Sequence, residues 1–151
     1  MIDLKRILVA TDFSDHSSKA VQYGAELAAK FDAELHLLHA VDPTPIAYGE
    51  GAFYPPNSTT EIIAAAAQQL DELSLGSVAN VRVTRKVIEG TPFVEIVRYA
   101  KESTADLLII GTHGRGAVAH MLLGSVAEKV VRKAPCPVLV VRDEEHDFVM
   151  P

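Results

Sequence analysis

Asp106-Leu107-Leu108-Ile109-Ile110-Gly111-Thr112-His113-Gly114-Arg115-Gly116 is the stretch that decides the fold. Its four consecutive apolar residues suit a strand covered on both faces, and the glycines behind them mark a sharp exit. On the C-terminal side, Ser125 to Lys133 reads as a helix that stops before Pro135, and Pro137-Val138-Leu139-Val140-Val141 as a last strand. On the N-terminal side, Thr91 and Pro92 open a helix, with Thr91 as cap and proline in the first helical position. Val81 to Ile88 alternates apolar and polar residues, as a half-wet strand does.

The same alternation runs back to the start. Ile7-Leu8-Val9-Ala10 is a first buried strand. Residues 16 to 31 place Ala20, Gly24, Leu27 and Phe31 on one helical face, and Leu35 to Val41 is a second strand. Residues 59 to 75 form another helix, with Ile62, Ala66, Leu70 and Leu73 on its stripe and Ser58-Thr59-Thr60-Glu61 ahead of it in the form of a capping box. A helix between every two strands predicts an α/β domain with a parallel five-stranded sheet, right-handed crossovers and helices on both faces. The continuously apolar first and fourth strands belong in the centre and the alternating third at an edge, so the expected order is 3-2-1-4-5. The connections then reverse between strands one and four, and ligands of such doubly wound sheets bind beyond the strand ends at that point. Thr11-Asp12 and Gly111-Thr112 occupy those ends.

The 151 residues include 48% hydrophobic and 23% charged side chains, enough for one domain with its own core. Residues 1–142 are read as that domain and 143–151, with Asp143, Glu144, Glu145 and Asp147, as a solvated acidic tail. The 14 basic and 20 acidic residues leave a net charge of −6. That argues against a phosphate-seeking surface for nucleic acid, though not against a single anion site made of backbone amides. Cys136 is the only cysteine, which excludes an intrachain disulfide and a multi-cysteine metal site. Its alternatives are packing and redox sensing. The apolar run near the start is too short for a signal peptide or membrane helix, so a cytoplasmic protein without a membrane partner is expected.

The glycine loop admits two readings. Gly111, Gly114 and Gly116 let backbone amides approach an anion, and Gly124-Ser125 begins a helix whose free N–H groups favour negative charge. Ser125-Val126-Ala127-Glu128 is equally a capping box, and the glycines would then be turn residues. No Lys precedes Ser125, so this is not a P-loop, and the turn Thr11-Asp12-Phe13-Ser14 lacks the glycines of a dinucleotide fingerprint. Asp12, Asp15 and Asp42 suggest a phosphoacceptor pocket, but the third strand runs into Glu89 rather than Asp and the last strand lacks a Lys. His36 and His39 face opposite sides of one strand, and no histidine or cysteine spacing supports a transition-metal site. Ser14, Ser17 and Ser18 read as helix-capping residues. Residues 43 to 57, with Tyr48, Phe53 and Tyr54, form a long loop that either covers a ligand or dimer surface or is pinned by its own aromatics.

Gly111-x-x-Gly114, nine residues, then Gly124-Ser125 resembles the ATP-binding signature of the universal stress protein family. The likeness extends to Ile7 to Ser14, to His39-Ala40-Val41 and to Pro135 to Val141, and so covers nearly the whole chain. It implies the adenine nucleotide alpha hydrolase-like fold. Ala10, Thr11 and Val41 would line the adenine pocket, with Asp12 near the ribose, the phosphates and a divalent metal. Gly111 and Gly114 would lie along ribose and phosphates, with Gly124, Ser125 and Val126 at the phosphates, where Arg115 supplies the loop's one firm cation. The resemblance also implies a homodimer through Val138, Leu139, Val140 and Val141. ATP and Asp12 are both anionic, so Mg²⁺ is the expected companion of a triphosphate. No nucleophile and base are arranged for turnover. The expectation is an ATP-binding stress or regulatory protein with little or no hydrolysis, the alternatives being a nucleotide-free dimeric interaction module and a weak ATPase or phosphotransfer protein.

Overall fold

The computed structural model describes residues 1–42, 58–112 and 123–142. Its elements run β1 (Arg6–Ala10), α1 (Asp15–Phe31), β2 (Glu34–Val41), α2 (Ser58–Glu72), β3 (Val83–Glu89), α3 (Pro92–Glu102), β4 (Leu107–Gly111), α4 (Ser125–Lys133) and β5 (Val138–Val141). The sheet order is β3-β2-β1-β4-β5, and every neighbouring pair is parallel. The expected doubly wound order is therefore present, with β1 and β4 in the middle and β3 at an edge.

Strand periodicity sorts the side chains into two cores. Ile7, Val9, Leu35, Leu37 and Ile109 pack with Ala20, Val21, Ala25 and Ala28 of α1 and Leu70 of α2. Leu8, Leu38, Leu108 and Ile110 point the other way and pack with Ile96 and Ala100 of α3 and Ala127 and Val130 of α4. Helices thus cover both faces. Ile7, Leu8, Val9, Leu108 and Ile109 are all 0% exposed, which is why their stretches carry no polar alternation.

The central pair is stapled at its start by a side chain. Asp106 Oδ2 accepts the amides of Lys5 at 2.8 Å and Arg6 at 2.9 Å, while the Asp106 amide donates to the Arg6 carbonyl at 2.9 Å. The Arg6 guanidinium returns to Thr104 Oγ1 at 2.6 Å. A carboxylate that accepts two amides fixes where β1 enters the sheet beside β4.

Local expectations fail where loop residues mimic elements. Helix α2 ends at Glu72 and β3 begins at Val83, so the boundaries at 75 and 81 move inward. Leu73, Leu75, Val78 and Val81 still pack against the core, but from the connection. Gly76 at φ 79° and Asn80 at φ 62° turn the backbone left-handed between them. Ser58 is already helical, and the position before it lies outside the described residues. Thr91 does occupy the cap position before Pro92, yet its side chain makes no capping bond. Ser14 likewise precedes α1 without a side-chain cap.

On the α3 face, β2 carries a polar cluster. His36 Nδ1 lies 2.8 Å from the Tyr99 hydroxyl, and its Nε2 lies 3.2 Å from Glu34 Oε1. Thr84 donates to the same Glu34 oxygen at 2.7 Å. The Thr84 hydroxyl, then the His36 ring, hold the Glu34 carboxyl below the usual carboxylate range. Burial pushes the Tyr99 phenol up, and the Glu34 charge adds to it. These groups tie β2, β3 and α3 together, although His36 Nε2, close to Glu34 as it is, lacks hydrogen-bond geometry.

Two substitutions test this packing. A Cβ on Gly24 of α1 would stand 2.3 Å from Val9 Cγ2 and 3.2 Å from Leu35 Cδ1. The gain of about 1 kcal/mol in helix propensity for Gly24→Ala is outweighed by overpacking of about 1–3 kcal/mol. Its urea midpoint should fall, and an unchanged midpoint would show that helix and sheet move apart freely. Because the folded-state pKa of Glu34 is lowered, its contribution is complete above the ordinary glutamate pKa and vanishes as pH falls through the lowered value. The stability gap between the wild type and Glu34→Gln should therefore be widest near neutrality and close in acid, whereas parallel pH curves would contradict the network.

Candidate functional site

All parallel strands end at one edge of the sheet, and the reversal of order opens a gap between the ends of β1 and β4. Two residues beyond the Val9–Ile109 pair, the chain continues as Thr11-Asp12 on one side and Gly111-Thr112 on the other. The Thr112 amide donates to the Val141 carbonyl at 3.1 Å, and the Thr112 carbonyl accepts the Gly124 amide at 2.6 Å. That second bond sets the start of α4 directly beside the end of β4.

The entry to α4 decides between the two readings of Ser125. Gly124 is the cap residue, in extended conformation, and among the described residues no side chain caps the helix. The Glu128 amide donates to the Gly124 carbonyl at 2.9 Å as an ordinary helical bond. Ser125 is therefore the first helical residue and not the cap, and the capping-box alternative is overturned. The amides of Ser125, Val126 and Ala127 have no acceptor within the helix, as at any helix start. Ser125 is exposed, and Val126 packs its side chain against the second core.

On the opposite side, the turn after β1 is locked by its own polar groups. Thr11 is 6% exposed and Ser17 4% exposed. The Phe13 amide donates to Thr11 Oγ1 at 3.1 Å, and Ser17 Oγ donates to the Ser14 carbonyl at 2.9 Å. With those two protons placed, the 2.9 Å contact between the hydroxyls must run from Thr11 to Ser17. Asp12 Oδ1 accepts the Ser14 amide at 3.0 Å and also the Ser14 hydroxyl, an Asx turn. The serines expected to cap α1 thus bond carbonyls or Asp12 instead, and Ser18 donates to the Asp15 carbonyl at 2.7 Å. Phe13 has φ 65°, the left-handed region that a phenylalanine enters only when its surroundings hold it there.

Ala10 belongs to the second core, and Gly111 is buried at the end of β4. Val41 ends β2, and its carbonyl accepts the Gly90 amide at 2.8 Å, which leaves that oxygen a second lone pair. Ala10, Thr11, Asp12, Val41, Gly111, Gly124, Ser125 and Val126 all fall at the carboxyl edge. Gly114, Arg115, His113, His120, the loop aromatics Tyr48, Phe53 and Tyr54, and the acidic tail lie outside the described residues. Sequence reading passed over Gly90 beside Val41, took Ser17 beneath Thr11 for a helix cap, and gave His39 no role in the site. The turn chemistry at Gly90-Thr91-Pro92 was a usable signal for the first, but hydroxyl pairing across α1 left none for the second.

Other sites carry less. A cavity of about 450 Å³ opens at the opposite, amino-terminal edge between Asp3, Lys5, Arg6, Asp32, Glu34 and Arg82. Its charges pair off, with Lys5–Asp3 at 3.6 Å and Arg6–Glu34 at 3.9 Å. Among the described residues no three His, Cys, Asp or Glu side chains cluster to hold a metal ion, and no helix is long and apolar enough to cross a membrane. Burial pushes the Cys136 thiol up, with the Asp106 charge adding to it. Cys136 also packs against the second core, so of its two alternatives the geometry supports packing.

Three comparisons bear on this geometry. The model of the universal stress protein family matches residues 3–142. The protein named Universal stress protein MJ0531 of Methanocaldococcus jannaschii is 35% identical over 149 residues, covering 95% of this chain and 85% of that one. Among solved structures, hypothetical protein MJ0577 superposes with a TM-score of 0.75 at 30% identity, over 93% of this chain and 96% of that one. A universal stress protein crystallised in complex with cAMP superposes with a TM-score of 0.70 at 27% identity, over 95% of this chain and 100% of that one.

Proposed function

The chain belongs to the universal stress protein family, and on that premise we propose that it binds an adenine nucleotide, ATP foremost, between the ends of β1 and β4 as a nucleotide-responsive regulatory protein of the cytoplasm. The observation that carries the reading is the start of α4. It has a glycine cap and no side-chain cap, and it is held beside β4 by the Gly124–Thr112 bond. Unpaired first-turn amides and the helix dipole make such a start a receptor for phosphate oxygens, whatever the net charge of the protein.

In this reading Ser125 and Val126 meet the phosphates through their amides and Ser125 adds its hydroxyl. Gly124, Gly111, Gly114 and Arg115 complete the phosphate and ribose side, while Ala10, Thr11 and Val41 border the base. The relative crystallised with cAMP supports an adenine nucleotide as the ligand class. Asp12, whose Oδ1 accepts the Ser14 amide and hydroxyl, would be the carboxylate nearest a cation. One carboxylate suits Mg²⁺ held chiefly by phosphate oxygens and water, not a closed protein cage. The site is read as one for binding, with occupancy as the signal.

The same reading extends to assembly. Among the described residues strand β5 pairs only with β4, and its Val138, Leu139 and Val140 are half-buried. An apolar edge of this kind is closed by a second copy pairing Val138 to Val141 across a two-fold axis.

Two measurements check the proposal. ATP should raise the melting temperature, by mass action, and more so with Mg²⁺. Ser125→Pro places proline where a helix prefers it, after a Gly124 already at φ −67° and ψ 160°, so the fold should persist while one phosphate-facing amide and the hydroxyl are lost. Its ATP affinity should drop about tenfold, the worth of a charge-assisted bond. Absence of any ATP-dependent shift would leave a nucleotide-free interaction module, and single-turnover release of ADP would make the protein an ATPase. Sedimentation should give about twice the 16.3 kDa chain mass, and a monomer at all concentrations would remove the β5 pairing.

A further inference from the structure

We propose that His39 is a positioning residue for the nucleotide site, clamping the Thr11–Asp12 peptide from the neighbouring strand; the inference rests on the nucleotide-binding reading above. His39 lies on β2, and its Nδ1 is 2.8 Å from the Thr11 carbonyl oxygen. Its ring packs against Phe13, with centroids 4.3 Å apart and planes tilted by 36°. Both contacts fall on the turn that carries Asp12.

The chemistry fixes the direction of the bond. A carbonyl oxygen only accepts, so His39 Nδ1 carries the proton and donates it. The peptide unit is planar, so holding the Thr11 carbonyl also sets the direction of the Asp12 N–H on its far side. The Thr11 amide, on the near side of the residue, donates to the Leu38 carbonyl of β2 at 2.9 Å, and further hydrogen bonds close on the segment Thr11 to Ser17 itself. These are Phe13 to Thr11, Thr11 to Ser17, Ser17 to Ser14 and Ser14 to Asp12. Internal bonds give the turn its shape. The His39 bond carries the attachment to β2 one peptide beyond the Thr11–Leu38 backbone bond, to the Thr11–Asp12 peptide itself. The face of His39 presses on Phe13, the residue held at φ 65°, so one side chain secures both the peptide and the unusual backbone angle beside Asp12. His36, three residues earlier, faces the other side of the sheet and bonds Tyr99, so it has no part in this.

The test compares His39→Asn, His39→Gln and His39→Ala. An asparagine amide can stand where Nδ1 stands, whereas the longer glutamine amide reaches toward the Nε2 position. ATP affinity should fall about fivefold or more in the alanine and glutamine variants and stay within about twofold in the asparagine variant, the fold-change of one lost hydrogen bond. If all three bind ATP like the wild type, or if asparagine is no better than alanine, the positioning role is overturned and His39 only packs. A second readout needs no nucleotide. Long-range proton–nitrogen NMR of the wild type should report protonated Nδ1 for His39, and Phe13 and Ser14 amide exchange should quicken in His39→Ala but not in His39→Asn. A ring protonated at Nε2 alone would refute the clamp. If the wild type fails to bind ATP while both NMR results hold, the nucleotide reading has failed and the anchoring of the turn stands.

Discussion

The pairing of β1 with β4 is the constraint on which the molecule depends. These strands are adjacent in the sheet but far apart in the chain, and the reversal of winding between them separates the helices into α1 and α2 on one face and α3 and α4 on the other. Their side chains are excluded from water on both faces. Asp106 fixes the start of the pair by accepting two amides of the neighbouring strand. Because the strands are parallel, that single alignment also determines what meets at the other end, with Thr11-Asp12 beside Gly111-Thr112. The site is thus a by-product of register. Among the described residues of the site, those of α4 are brought there by a further contact, the bond from Gly124 to Thr112.

Much of this was legible in the residues. The continuous apolar runs of β1 and β4 announced central strands, the alternation of Val81 to Ile88 announced an edge, and strand order followed. What misled was local. Leu73, Leu75, Val78 and Val81 face the core from a connection, and apolar periodicity does not distinguish a core-facing loop from an element end. Capping signals failed for a related reason. Ser14, Thr91 and Ser125 are residues that cap helices, yet Ser14 gives its hydroxyl to Asp12, Thr91 holds the cap position without a capping bond, and Ser125 sits one position inside its helix. Residue type describes what a group can do, while the competing acceptors are set by tertiary contacts absent from a linear reading. Serine at the start of α4 was the sharpest instance, since a one-position shift separates a helix capped by its own serine from one capped by glycine.

The candidate site shows a division of labour. The α4 side is glycine-capped and relies on main-chain donors. The β1 side is a dense cycle of hydroxyls and a carboxylate bonded among themselves. A rigid wall facing a donor-rich one suits an anion, because the wall keeps the shape of the gap while the donors supply the field. The net charge of −6 then works as a filter and not an obstacle, since polyanions without a matching shape meet repulsion at the remaining surface.

The two borders of the sheet are not alike. Strand β3 brings Arg85, Lys86 and Glu89 to its edge, and charge on an outer strand discourages other chains from adding to it. Strand β5 is four residues long and wholly aliphatic. Growth of one sheet onto another in an endless ribbon requires a receptive border at each end of every unit. With one border guarded, any association that begins at the aliphatic one also terminates there, and the molecule is protected from fibre formation by its asymmetry.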